Sequence, residues 1–69
     1  MFNKNKFKGC VYSSGLTMKE VALKLGINET TLYRKINRDG DFSRSEINEL
    51  IELLKITNPN EIFFNEKLT

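Results

Sequence analysis

Histidine is absent from the chain, and cysteine occurs once, as Cys10. The first absence removes the commonest general base and the side chain that most often changes charge near neutrality. It also takes away the usual zinc ligand sets. The second leaves no partner for an internal disulfide, and a lone thiol fits a reduced, cytoplasmic setting. Long hydrophobic runs are missing too. No purely apolar stretch exceeds three residues, as in Ile62-Phe63-Phe64, far short of a membrane span. The basic start, Met1 to Lys6, leads into no apolar segment of signal-peptide length. Carboxylates, lysines and one thiol remain, but nothing groups them into nucleophile, base and orienting residue. These absences point away from an enzyme, and no cofactor, small-molecule ligand or membrane partner is expected.

What is present is a single domain's worth of chain, residues 1–69. A domain this short buries only roughly 60% of the surface its unfolded form exposes. Without disulfide or zinc, its stability must come from close helix packing or from a second subunit. The net charge of +2 conceals a split. Residues 1–38 hold eight basic groups against Glu20 and Glu29, a surplus of six. Residues 39–69 hold three basic groups against seven acidic ones, a deficit of four. Such a division suits one face for a polyanion and another for solubility or a partner, although a mixed surface also produces it.

Apolar spacing is helical throughout, which predicts an all-α bundle of about five short helices. Phe7, Cys10 and Val11 form the stripe of a first helix, weakened by Gly9 and stopped at Ser13-Ser14-Gly15. Thr17-Met18-Lys19-Glu20 has the pattern of a capping box, opening a helix with Val21, Ala22 and Leu25 inside and Gly26 as its stop. Asn28 is a good N-cap for the next helix, Glu29 suits its positive end, and Leu32 and Ile36 form its inner stripe. After the turn Asn37 to Asp41, Ser43-Arg44-Ser45-Glu46 is a second capping box. It starts a strongly amphipathic helix with Ile47, Leu50, Ile51 and Leu54. Asn58-Pro59 reads as an N-cap and first helical residue, leading to a short turn that ends at Ile62-Phe63-Phe64. Cys10 reads as a small core residue rather than a redox sensor.

The informative stretch is about 17–37, where two short helices are separated only by Leu25-Gly26-Ile27-Asn28. Ala22 faces the following helix at closest approach, where a larger side chain would wedge the pair apart. Gly26 supplies the positive φ of a sharp turn. Val21, Leu25, Ile27, Leu32 and Ile36 close the small core between the helices. The second helix is left with its polar face outward, the arrangement with which a recognition helix enters a major groove.

Met18 to Ile36 resembles the helix-turn-helix of the phage Cro and repressor family, the XRE-like group. With the flanking helices the likeness covers nearly the whole chain. It is strongest to short phage regulators, through Lys6-Phe7-Lys8-Gly9, Thr31-Leu32-Tyr33-Arg34-Lys35 and Ile62-Phe63-Phe64. Relatives often carry an apolar residue where Lys35 stands; here Ile36 takes the core role. The resemblance implies a lambda-repressor-like fold and a transcriptional regulator of operator DNA in a bacterial host cytoplasm.

By position, the resemblance implies that Glu29, Thr30, Tyr33 and Arg34 read bases. Arg34 suits a guanine O6/N7 edge, Thr30 and Tyr33 a hydrogen bond or a thymine methyl, and Glu29 a cytosine amine or a filter against wrong sites. Thr17, Met18, Lys19, Lys35, Arg38, Ser43 and Arg44 are the implied phosphate contacts. Each has a plainer alternative. Arg34 and Lys35 can be solvated charges paired with carboxylates, and Tyr33 can cover apolar surface with its ring. The tail at about 62–69, with Ile62, Phe63, Phe64 and Leu68, is either core or a surface for a second chain. That second chain is either another copy, giving a homodimer on a palindromic site, or a heterologous repressor that this protein modulates or antagonises.

Overall fold

Every helix begins where a short polar side chain can accept a backbone amide, with one exception at the last. The computed structural model describes residues 1–64. Asn3 opens α1 (Lys4–Ser14) by accepting from the Lys6 amide at 3.0 Å. Gly15, at φ 78°, closes it as anticipated. Both halves of the Thr17–Glu20 capping box are made at α2 (Met18–Leu25), and both halves of the Ser43–Glu46 box at α4 (Arg44–Leu54). Asn28 accepts from the Thr31 amide at 2.7 Å to start α3 (Glu29–Asn37). The exception is α5 (Pro59–Phe63). Asn58 stands at the N-cap position and Pro59 opens the helix as expected, but the Asn58 side chain makes no capping hydrogen bond there.

Among the described residues these five helices are the only regular elements, and the all-α bundle is thus observed. None is long and apolar enough to cross a membrane. α2 packs on α3, and α1 packs on both α4 and α5. The core is a single cluster. Phe7 and Val11 come from α1, Val21 and Ala22 from α2, Leu32 and Ile36 from α3, and Leu50 and Leu54 from α4. All eight lie on the faces that the periodicity picks out. Leu25, Ile27, Ile47, Ile51 and Cys10 are half-buried at its margin.

Two further contributions have no periodic signal. Phe2, before α1, is buried, and its ring lies 5.5 Å from Phe7 and 5.9 Å from both Phe42 and Phe63. Such pairs add about 0.5–1.5 kcal/mol each beyond the area they bury. The second is Ile56, in the connection after α4, which enters the core while Lys55 adopts a left-handed φ of 53° to turn the chain. The closing tripeptide divides. Ile62 and Phe63 are buried, whereas Phe64 is 54% exposed. Of the two alternatives for the tail, Ile62 and Phe63 thus take the core one in this chain, and Phe64 keeps its side open to solvent. Leu68 lies outside the described residues.

Candidate nucleic-acid interface

The turn between α2 and α3 is made by backbone alone. Gly26 sits at φ 75°, its amide donates to Leu23 O at 3.1 Å, and the Ile27 amide reaches Ala22 O at 3.0 Å. These bonds satisfy the last carbonyls of α2 and send the chain directly into the Asn28 cap. Ala22, 1% exposed, is part of the core on the buried face of α2, the helix that packs on α3. With Leu32 and Ile36 turned inward, α3 has little choice about what it shows to solvent. Thr30, Tyr33, Arg34 and Asn37 are exposed and fall within roughly 100° of arc at 3.6 residues per turn. Glu29 is exposed in the first turn, at the positive end of the helix dipole.

Tyr33 is 40% exposed, so its ring partly covers its own helix and its edge remains open. Arg34 is exposed on the same face, and no ion pair ties it down among the described residues. Asn37, which the sequence pattern did not single out, completes the face. Its Oδ1 accepts from Lys4 Nζ at 3.1 Å, across 33 positions of sequence.

The backbone-contact candidates divide. Lys19, Arg38 and Arg44 are exposed cations at the start of α2, the end of α3 and the start of α4. Thr17 and Ser43 are exposed, but their side-chain oxygens already accept from the Glu20 and Glu46 amides; Thr17 keeps a hydroxyl proton to donate, while Ser43 Oγ also shares a hydrogen bond with Ser45 Oγ at 3.3 Å. Their own amides are spent on the same glutamates. Met18 packs its side chain against the core and can offer only its backbone.

Lys35 is otherwise engaged, contrary to its assignment as a phosphate contact. Its Nζ lies 3.4 Å from Glu46 Oε1 and donates to Asp41 O at 3.3 Å. The Asp41 amide returns a bond to Lys35 O at 2.9 Å. Lys35 thus clamps the loop after α3 onto the start of α4. Glu46 responds to the clamp. Burial disfavours its ionised form, but the Ser43 amide and the Lys35 ammonium outweigh this and hold its carboxyl below the ordinary value near 4.5.

The loop itself runs through two left-handed residues, Asp39 at φ 58° and Gly40 at φ 70°. Phe2 holds it from the far side. Its amide donates to Asp39 Oδ1 at 3.0 Å, and its ring packs so closely on Gly40 that a β-carbon there would collide with it. Against models of protein families, curated proteins and solved structures, the chain finds no match.

Proposed function

We propose that this protein is a sequence-specific regulator that binds operator DNA by laying α3 in the major groove. The observation that carries this reading is the outward face of α3. Thr30, Tyr33, Arg34 and Asn37 project from one side of a short helix that α2 holds across a tight glycine turn. Lys19, Arg38 and Arg44 stand at the adjoining helix ends, where phosphates would flank the groove. Arg34 reads a guanine edge, Thr30 and Tyr33 read neighbouring bases, and Glu29 selects a cytosine amine or rejects poor sites. One short recognition helix gives limited specificity. Pairing of two copies on a palindromic site answers that, with Phe64, among the described residues of the C-terminal end, an exposed apolar side chain open to contact.

Selection from a random duplex pool at about physiological salt tests the reading, because non-specific binding is weak there. Enrichment of a short palindrome is expected. Arg34→Ala should lose about 1–3 kcal/mol of affinity and relax base preference, whereas Lys19→Ala should weaken all sequences alike. Equal, sequence-independent losses from both would remove Arg34 from base reading.

A second reading is a modulator that acts by binding a partner repressor. The exposed Phe64 and the exposed carboxylates Glu49 and Glu52 of α4 favour it, since they suit a protein surface better than a phosphate backbone. It predicts no enriched site, or loss of DNA binding with formation of a stable complex when the repressor is added.

A further inference from the structure

We propose that Lys4, Asn37 and Arg38 form a phosphate-holding corner at the exit of α3, so that α1 takes part in gripping DNA. This rests on the DNA-binding reading and extends it to a helix outside the helix-turn-helix. The corner is built from donors. An ammonium has no acceptor, so the Asn37 atom facing Lys4 Nζ at 3.1 Å is the amide oxygen. The Asn37 amide nitrogen is thereby turned away from Lys4 with two N–H donors. Lys4 keeps two more, and the exposed Arg38 guanidinium brings five. Donors and positive charge from Lys4 and Asn37, with Arg38 next in sequence, match a phosphate, whose oxygens only accept.

Its place agrees with its chemistry. Base edges are met by the first turns of a recognition helix, which leaves the last turn beside the sugar-phosphate backbone. The corner is also braced before any ligand arrives. The Asn3 amide donates to Ile62 O at 2.7 Å, the Phe2 amide is held by Asp39, and the Phe2 ring is buried. The backbone at Lys4 is therefore held relative to the end of α3. The Asp39 carboxylate, the nearest opposing charge in sequence, has its Oδ1 directed at the Phe2 amide.

A second observation is independent of this geometry. Lys4, Lys6 and Lys8 crowd the start of α1, and its first turn holds no acidic residue. Cations at that end oppose the helix dipole. Lys6 is compensated by Glu61 at 3.1 Å, across to α5. Among the described residues Lys4 meets the neutral Asn37 and no carboxylate, so its charge is placed against local helix stability and beside the outward face of α3.

The test compares Lys4→Ala with Lys6→Ala in the full chain, by fluorescence anisotropy on the selected duplex and an unrelated one across a salt series. Lys4→Ala should weaken both duplexes by about fivefold at physiological salt and flatten the slope of log K against log salt by about 0.9. Its melting temperature should hold or rise, since a cation leaves the positive end of α1. Lys6→Ala should leave the slope as it was. If Lys4→Ala keeps the wild-type slope while Arg34→Ala still erases site preference, the corner is wrong and the DNA reading stands. An affinity loss that follows a lowered melting temperature with an unchanged slope would make Lys4 structural only. Wild-type protein that binds duplexes with no steep salt dependence would overturn both.

Discussion

The α2–α3 pair is built from one contiguous stretch, Thr17 to Arg38, in which caps, turn and inner faces lie within a few residues of each other. The aromatic closure beside it is built from Phe2, Phe7, Phe42 and Phe63, drawn from four separate segments. Both hold the same helix. The pair fixes how α3 starts and which face it shows, and the closure fixes where α3 ends and how the chain leaves it. The nine-residue α3 is thus positioned at its two ends by different means. The local half is set by propensity and turn chemistry, the distant half by ring packing.

The largest test of that contrast is Phe7→Ala. Phe7 is fully buried and touches both Phe2 and Phe42, so truncation should cost about 3–5 kcal/mol in a thermal or urea melt. That is a large part of the stability of a small domain. A loss below about 1 kcal/mol would mean the rings do not hold the closure.

The glycines of the two halves make a sharper pair. Gly26→Ala must tolerate a left-handed φ in open space, for about 1–2 kcal/mol. Gly40→Ala carries the same strain and also strikes the Phe2 ring, which should add roughly 1–3 kcal/mol for overpacking. Equal melting temperatures for the two variants would show that Phe2 does not seat on the turn.

The smallest expected effect lies where the halves meet α4, at Glu46. Its folded carboxyl is held below its ordinary value, so its contribution is present above about pH 4.5 and lost as pH falls through the folded value. Glu46→Gln should remove that part of the acid sensitivity from a series of melts. The same acid profile in wild type and variant would remove the Lys35–Glu46 clamp as its source.

The legibility of the molecule follows the same division. Thr17 with Glu20, Ser43 with Glu46, Asn28, Gly15 and Gly26 announce themselves because a cap or stop is decided by residues three or four apart. The inward stripe of every helix up to α4 is readable for the same reason. Phe2 and Ile56 belong to no stripe, and their burial depends on what lies opposite in space. Lys35 carries a charge on a helix next to Arg34, and nothing local distinguishes them. Only the loop folding back onto α4 gives Lys35 its carboxylate. Asn37 was hidden in the turn signal and became part of the exposed face once α3 extended to include it. The Ile62-Phe63-Phe64 run offered core and surface equally, and the short α5 divides it by turning two side chains in and one out.

The seating of Phe2 on Gly40 also orders events in time. Bringing positions 2 and 63 together closes a loop almost as long as the described chain, whereas α2 and α3 meet through a turn of a few residues. Closure entropy makes the first contact slow and the second fast. The hairpin of helices therefore condenses early, with its outward residues already arrayed. The contacts that complete the far end of α3 come last. In kinetic terms α3 has one early-forming end and one late-forming end, and on the proposed reading a phosphate gripped at Lys4 would act on the late one.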